Sequence, residues 1–306
     1  MRGLNKKPSL LTDLLLSLVV MMLWGSLFPM IKIGYRVFDI HTDRTADILM
    51  FAAMRFVFCG AAVCLMARFS KAAASKPRGK NLRRICVMGI FAIVLHYGFT
   101  YVGLTMTESS KTAILKQIAP LLFACFSFLF VKGERFSVTK TIGAVVGFLG
   151  LLVINGASFG TFSTGDLLIV LASVCSVAAM VISGKCAKET SPLWITGISQ
   201  LFGGTVLLLI SSAMGGKISA VTPQSLLVFL YLCTASIAGY TLFYHVQRTM
   251  ELSKLLIVKF AEPLFACVFS AVLLKEDVFN LPYLLAFLLI SSGIVIGNLP
   301  TAQKRA

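Results

Sequence analysis

The chain has 306 residues, of which 58% are hydrophobic and 13% charged, with a mean hydropathy of +0.90. Soluble domains carry about 25% charged residues, so this composition excludes a water-soluble fold and points to a membrane protein. The formal net charge of +16 does not mark a nucleic-acid binder, because the cations sit in short segments between apolar runs, where they fix orientation.

Ten apolar runs approach the roughly 20 residues needed to cross a bilayer core, at 10–33, 46–67, 84–105, 111–131, 138–156, 165–186, 192–213, 223–246, 254–275 and 280–299. The first follows Arg2, Lys6 and Lys7 like a signal peptide. It runs past Trp24 to Ile33 with no small-residue cleavage site, so it reads as a transmembrane helix. The second carries Arg55 near its middle. The basic segment Ser70–Asn81 then reads as a solvated loop near anionic headgroups. The third run holds His96, Tyr97 and Tyr101, and only Met106–Ser110 separate it from the fourth, with Lys116 and Pro120. The fifth contains Gly143/Gly147 and the tenth Gly293/Gly297, a GxxxG spacing that implies close helix packing within the fold or at a dimer contact. Tyr240, Tyr244 and His245 lie in the eighth, and Lys259, Glu262 and Pro263 in the ninth.

Eight cysteines fall in or beside these runs without CxxC or metal-ligand spacing and read as small apolar packing residues. No metal or cofactor is expected. An even number of spans puts both termini on one side. The loops on that side carry 19 of the 28 lysines and arginines, the opposite loops six, so both termini are expected in the cytoplasm.

The strongest internal signal is a repeat. At a shift of 143 residues, Lys111, Lys116 and Pro120 map onto Lys254, Lys259 and Pro263. Tyr97, Tyr101, Glu108, Gly150 and Asn155 map onto Tyr240, Tyr244, Glu251, Gly293 and Asn298. A second register of 153 relates Asp13 to Asp166 and Lys32 to Lys185. The expected division is 1–156 and 157–306, five helices each. Five is odd, so the halves insert with opposite orientation, an inverted repeat of the kind that builds secondary transporters around a midplane site.

The site candidates follow from the cost of charge in a membrane. Lys116 is expected about five residues, or roughly 8 Å, into a helix entering from outside, and Lys259 equally deep in a helix entering from the cytoplasm. They either snorkel to the headgroups or bind an anion. Glu262 is the one acid clearly inside a run, set against Arg55, Lys116 and Lys259. It serves as the partner of Lys259, three residues away, or as a proton-coupling acid. Arg55 either grips a carboxylate or phosphate through two hydrogen bonds or braces the fold. Tyr97/Tyr101 and Tyr240/Tyr244, each four apart, share helix faces and line a cavity or pack helices. His96 and His245 are candidates for a proton relay or for hydrogen-bonded core residues. No Walker motif supports ATP-driven pumping, and one intramembrane carboxylate gives little basis for an enzyme.

The chain resembles the EamA-type drug/metabolite transporters. The resemblance rests on Trp24-Gly25-Ser26-Leu-Phe-Pro-Met-Ile-Lys32, Met54-Arg55-Phe56, Pro120 with Gly133-Glu134, and Glu262-Pro263 with Lys275-Glu276. It covers essentially the whole chain. It implies an all-α fold of ten transmembrane helices, a 5+5 inverted repeat, and alternating-access carriage of small metabolites through a central cavity to which Trp24 belongs. The lysine pair is closer to the basic residues of sugar-phosphate/phosphate exchangers, distant relatives in the same superfamily. The resulting expectation is a secondary active transporter in the cytoplasmic membrane, a monomer or homodimer. Its cargo is a carboxylate- or phosphate-bearing anion or zwitterion such as an amino acid, moved with a coupling proton or counter-substrate. The alternatives are a lipid or lipid-linked metabolite flippase and an exporter of neutral or cationic metabolites or drugs.

Overall fold

The computed structural model describes residues 10–41, 43–104, 106, 115–131, 134–155, 163–218, 221–275 and 281–299. Lys111, Glu108, Gly133 and Glu276, used above for the repeat and the resemblance, lie outside the described residues. Every regular element among the described residues is helical. The first span is Leu10–Val37 and the second Thr45–Phe69. The third runs from Lys80–Gly89 through a π turn at Ile90–Leu95 into His96–Leu104. The fourth is described from Leu115, with its helix at Ile118–Phe130, and the fifth is Val138–Asn155. The sixth, seventh and eighth are Thr164–Ala187, Pro192–Ala213 and Pro223–Val246. The ninth is split into Leu252–Val258 and Ala261–Leu274, and the tenth is Leu281–Asn298. Seven of these spans are long and apolar enough to cross a membrane, and three shorter apolar helices complete the ten among the described residues.

These helices are apolar nearly all round, as membrane spans are. Leu15, Phe58, Leu209, Leu227, Val272 and Phe287 point outward and stay exposed, where lipid is the natural solvent. Phe56, Phe243, Phe260, Met21 and Ile93 fill the interior. Capping boxes start the sixth span (Ser163/Asp166) and the eighth (Thr222/Ser225), satisfying first-turn amides that lipid would leave bare.

The packing partners obey the repeat. The first span packs on the eighth and ninth; its counterpart, the sixth, packs on the third and fourth. The second packs on the seventh, the fourth on the ninth and the fifth on the tenth, each pair mapping onto itself when the halves exchange. The two GxxxG motifs meet each other within the fold. A Cβ placed on Gly293 would lie 2.6 Å from the Gly143 carbonyl oxygen and 2.6 Å from the Gly147 nitrogen.

Two features differ from the sequence expectation. The fourth and ninth spans are not continuous helices: turns at Lys116–Gln117 and Lys259–Phe260 interrupt them. The Ser70–Asn81 segment is largely exposed, as a solvated loop is, but is also anchored to the seventh span. Trp194 Nε1 donates to the Ala73 carbonyl at 2.9 Å, the Ser191 amide donates to Ser75 at 3.1 Å, and the Lys76 ammonium lies 5.8 Å from the Trp194 ring.

The glycine contact is testable by thermal unfolding in detergent. Gly293→Leu forces the fifth and tenth spans apart and is expected to cost about 3 kcal/mol, the upper range for overpacking. Gly184→Ala, where a Cβ meets nothing within 4 Å, leaves the melting temperature unchanged or slightly higher.

Candidate functional site

Each interrupted span breaks for the same covalent reason. Proline has no N–H, so Pro120 and Pro263 cannot bond the carbonyls four residues before them, which belong to Lys116 and Lys259. In the fourth span Ser173 Oγ, from the sixth span, donates to the freed Lys116 carbonyl at 2.6 Å. In the ninth the Glu262 amide bonds the Lys259 carbonyl at 3.0 Å, a tighter turn than an α-helix makes. Both lysines therefore sit at breaks, beside the N-termini of Ile118–Phe130 and Ala261–Leu274, whose dipoles add positive potential.

The first span supplies a ring to each ammonium. Lys259 Nζ lies 5.3 Å from the Trp24 ring and Lys116 Nζ 5.6 Å from the Phe28 ring. Trp24 and Phe28 are four residues apart, on one helix face. Lys259 also forms an ion pair with Glu262, their side chains only 13% and 12% exposed. Lys116 shares the field of Glu262 and Lys259, and His96, whose Nδ1 donates to the Ala172 carbonyl at 3.0 Å, lies in the field of both lysines. Gly25 lets the first span approach: a Cβ there would lie 2.9 Å from the Glu262 carbonyl oxygen.

An aromatic line leads away from the lysines. Trp24 is 5.3 Å from Tyr240. Tyr240 and Tyr97, partners under the repeat, interact through their side chains where the halves meet. Tyr97 lies 5.8 Å from Tyr101, which pairs with Tyr35. Tyr244, 6.0 Å from Tyr240, hydrogen-bonds Ser199 and is 3% exposed, so it is a packing residue as much as a lining one. The Arg55 guanidinium stands over Phe56 at 4.6 Å and Tyr97 at 5.8 Å, is 1% exposed, and has no hydrogen-bond partner on any of its three nitrogens among the described residues. Trp24 Nε1 is likewise buried without a partner among the described residues. Tyr35 lines a cavity of about 290 Å³ with Lys32, Arg36, Asp39 and Ile40.

Most of the sequence candidates converge here: Trp24, Arg55, His96, Tyr97, Tyr101, Lys116, Tyr240, Lys259 and Glu262. His245 does not. It is exposed at the end of the eighth span, because the helix turns Tyr240 and Tyr244 inward and His245 the other way. Sequence reasoning missed Phe28, Ser173 and Tyr35. The i, i+4 spacing from Trp24 pointed to Phe28; nothing local identifies Ser173 as the group that satisfies the Lys116 carbonyl.

The ion pair generates a prediction. Lys259→Ala leaves Glu262 unpaired in a dry setting and is expected to destabilise by about 3 kcal/mol. The double variant Lys259→Met/Glu262→Met recovers most of that loss in a detergent melting assay. Additive losses would show that the two residues do not act as a pair.

The EamA-like transporter family matches residues 11–156 and 163–298. The uncharacterized transporter YvbV of Bacillus subtilis (strain 168) is 29% identical, over 99% of this chain and 96% of its own. An uncharacterized transporter of Archaeoglobus fulgidus is 26% identical, over 87% and 90%. A WAT1-related chloroplastic protein of Arabidopsis thaliana is 24% identical, over 74% of this chain and 57% of its own. A crystal structure 19% identical in sequence superposes with a TM-score of 0.73, covering 93% of this chain and 95% of that one, which supports the ten-helix fold. Family and relatives together mark a multi-pass transporter of a cell membrane.

Proposed function

We propose, from the premise that the chain belongs to the EamA-like transporter family, that it is a secondary active transporter of small organic anions or zwitterions bearing a carboxylate or phosphate. One observation carries the substrate class: among the described residues, Arg55 is buried with no hydrogen-bond partner, Lys116 and Lys259 are partly buried at the two helix breaks, and Glu262 is the one acid placed against the two lysines. Buried cations without enough counter-charge are costly, and an arriving anion supplies it where a low dielectric strengthens the contact. The helix N-termini beside both lysines act in the same direction.

In this reading Lys116, Lys259 and Arg55 bind charge, while Trp24, Tyr97, Tyr101 and Tyr240 hold the rest of the cargo. The line from the cavity at Tyr35 through Tyr101 and Tyr97 to Trp24 is the route from outside. At the other end Lys140, 5% exposed, bridges Glu134 of its own half at 3.4 Å and Glu251 of the other at 2.6 Å. That bridge holds the cytoplasmic side closed. Rocking of the halves 1–156 and 157–306, with both termini cytoplasmic, alternates the exposure. His96 and Glu262 are the groups placed to carry a coupling proton.

Transport by purified protein in liposomes tests this. Lys116→Ala is expected to cost about 2 kcal/mol of anion binding or more, roughly 30-fold, with a near-normal melting temperature. Selective stabilisation by polyamines or quaternary ammonium compounds, or undiminished transport by the variant, would overturn the anion assignment.

A further inference from the structure

We propose that the mirrored lysines divide their work: Lys116 takes the cargo's anionic group, Lys259 is committed to Glu262, and Ala119 enforces the division by withholding a second acid. This rests on the anion reading above and narrows it, from three charge-binding cations to Lys116 as the direct partner of the anionic group and from anions in general to carboxylates.

The repeat that maps Lys116 onto Lys259 and Pro120 onto Pro263 also maps Ala119 onto Glu262. In the second half, the acid three residues past the lysine reaches back and closes an ion pair. In the first half the same place holds an alanine, 8% exposed and packed in the core. Backbone breaks and prolines are otherwise shared between the halves, and each lysine faces a ring of the first span. Among the described residues, the one charged neighbour of opposite sign that Lys116 has, Glu262, is already engaged by Lys259.

Arg55 stands apart over Phe56 and Tyr97, so the lysine cluster holds two ammonium groups and one carboxylate, and its surplus positive charge resides on Lys116. A carboxylate brings one negative charge and balances it. A phosphate monoester brings about 1.5 to 2 at neutral pH, and the excess would stand against Glu262. The geometry thus favours a monoanionic group, with Ala119 as the position that sets charge selectivity.

The test uses the full chain purified in detergent, with melting temperature read against lactate, glutamate and glycerol 3-phosphate. The carboxylates are expected to stabilise the parent more than the phosphate ester. Ala119→Glu, which builds in the first half the pair already present in the second, is expected to weaken carboxylate binding at least tenfold. Ala119→Gln, similar in size and uncharged, keeps it within threefold. The swap Ala119→Glu/Glu262→Ala conserves charge and should move the requirement: Lys116→Gln abolishes binding in the parent, Lys259→Gln in the swap. If Ala119→Glu does not fold, the parent and its Lys116→Gln variant decide alone. Carboxylate binding that survives Ala119→Glu or Lys116→Gln, or stronger stabilisation by the phosphate ester, overturns the division while leaving anion transport in place. A parent that responds to none of the three overturns both.

Discussion

The constraint on which this structure depends is a proline four residues after a lysine, in two spans that face each other. Proline withholds the amide that the lysine's carbonyl needs, and inside a bilayer no water stands in for it. In both spans the helix breaks at the lysine, whereas Pro29 is accommodated in the unbroken first span, and the break does three things together. It frees a carbonyl that another element has to satisfy, as Ser173 does for Lys116. It starts a new helix whose positive end lies beside the ammonium. And it takes the lysine out of the regular helical row, so that each ammonium stands over a ring of the first span.

Because that unit occurs once in each half, the rest of the packing follows. The fourth and ninth spans meet; the first and sixth lie against them in exchanged roles; the glycine-lined fifth and tenth spans close one flank. Trp24-Gly25 shows how tightly sequence and site are joined. Gly25 admits the ninth span's backbone, and Trp24 beside it places its ring under Lys259. Gly239 in turn makes room for Trp24, since a Cβ there would lie 2.9 Å from the indole Cδ1.

Much of this was legible in the sequence because membrane physics narrows the choices. Apolar runs have to be spans, an odd-numbered repeat has to invert, and a charge inside a span has to have a use. The repeat aligns Lys116 with Lys259 and Tyr97 with Tyr240, and the structure brings each pair to the junction of the halves. The break itself was only half legible. The lysine-to-proline spacing implies a freed carbonyl, but continuous apolarity from 111 to 131 and from 254 to 275 reads as unbroken helix. His245 was misplaced because adjacency to Tyr244 in sequence means roughly 100° of rotation on a helix, enough to move a side chain from interior to surface. The docking of Ser70–Asn81 on Trp194 was not legible at all, since it depends on a tertiary neighbour more than 100 residues away.

The choice of partners for the two ammonium groups matters more than their burial. A ring holds a cation with about 0.5–2 kcal/mol, whereas breaking a buried ion pair costs about 3–5 kcal/mol. Under the proposed anion transport, Lys259, paired with Glu262, is therefore expensive to release, while Lys116, facing Phe28, is cheap to recruit. An ammonium that the protein had already neutralised would offer an incoming anion nothing. One left in a low dielectric with no partner would lose its proton or drag in water. A ring lies between those limits: it stabilises the charge without cancelling it. For a carrier that must bind and then release, that intermediate strength is the useful one, and the same holds for the Arg55 guanidinium between Phe56 and Tyr97.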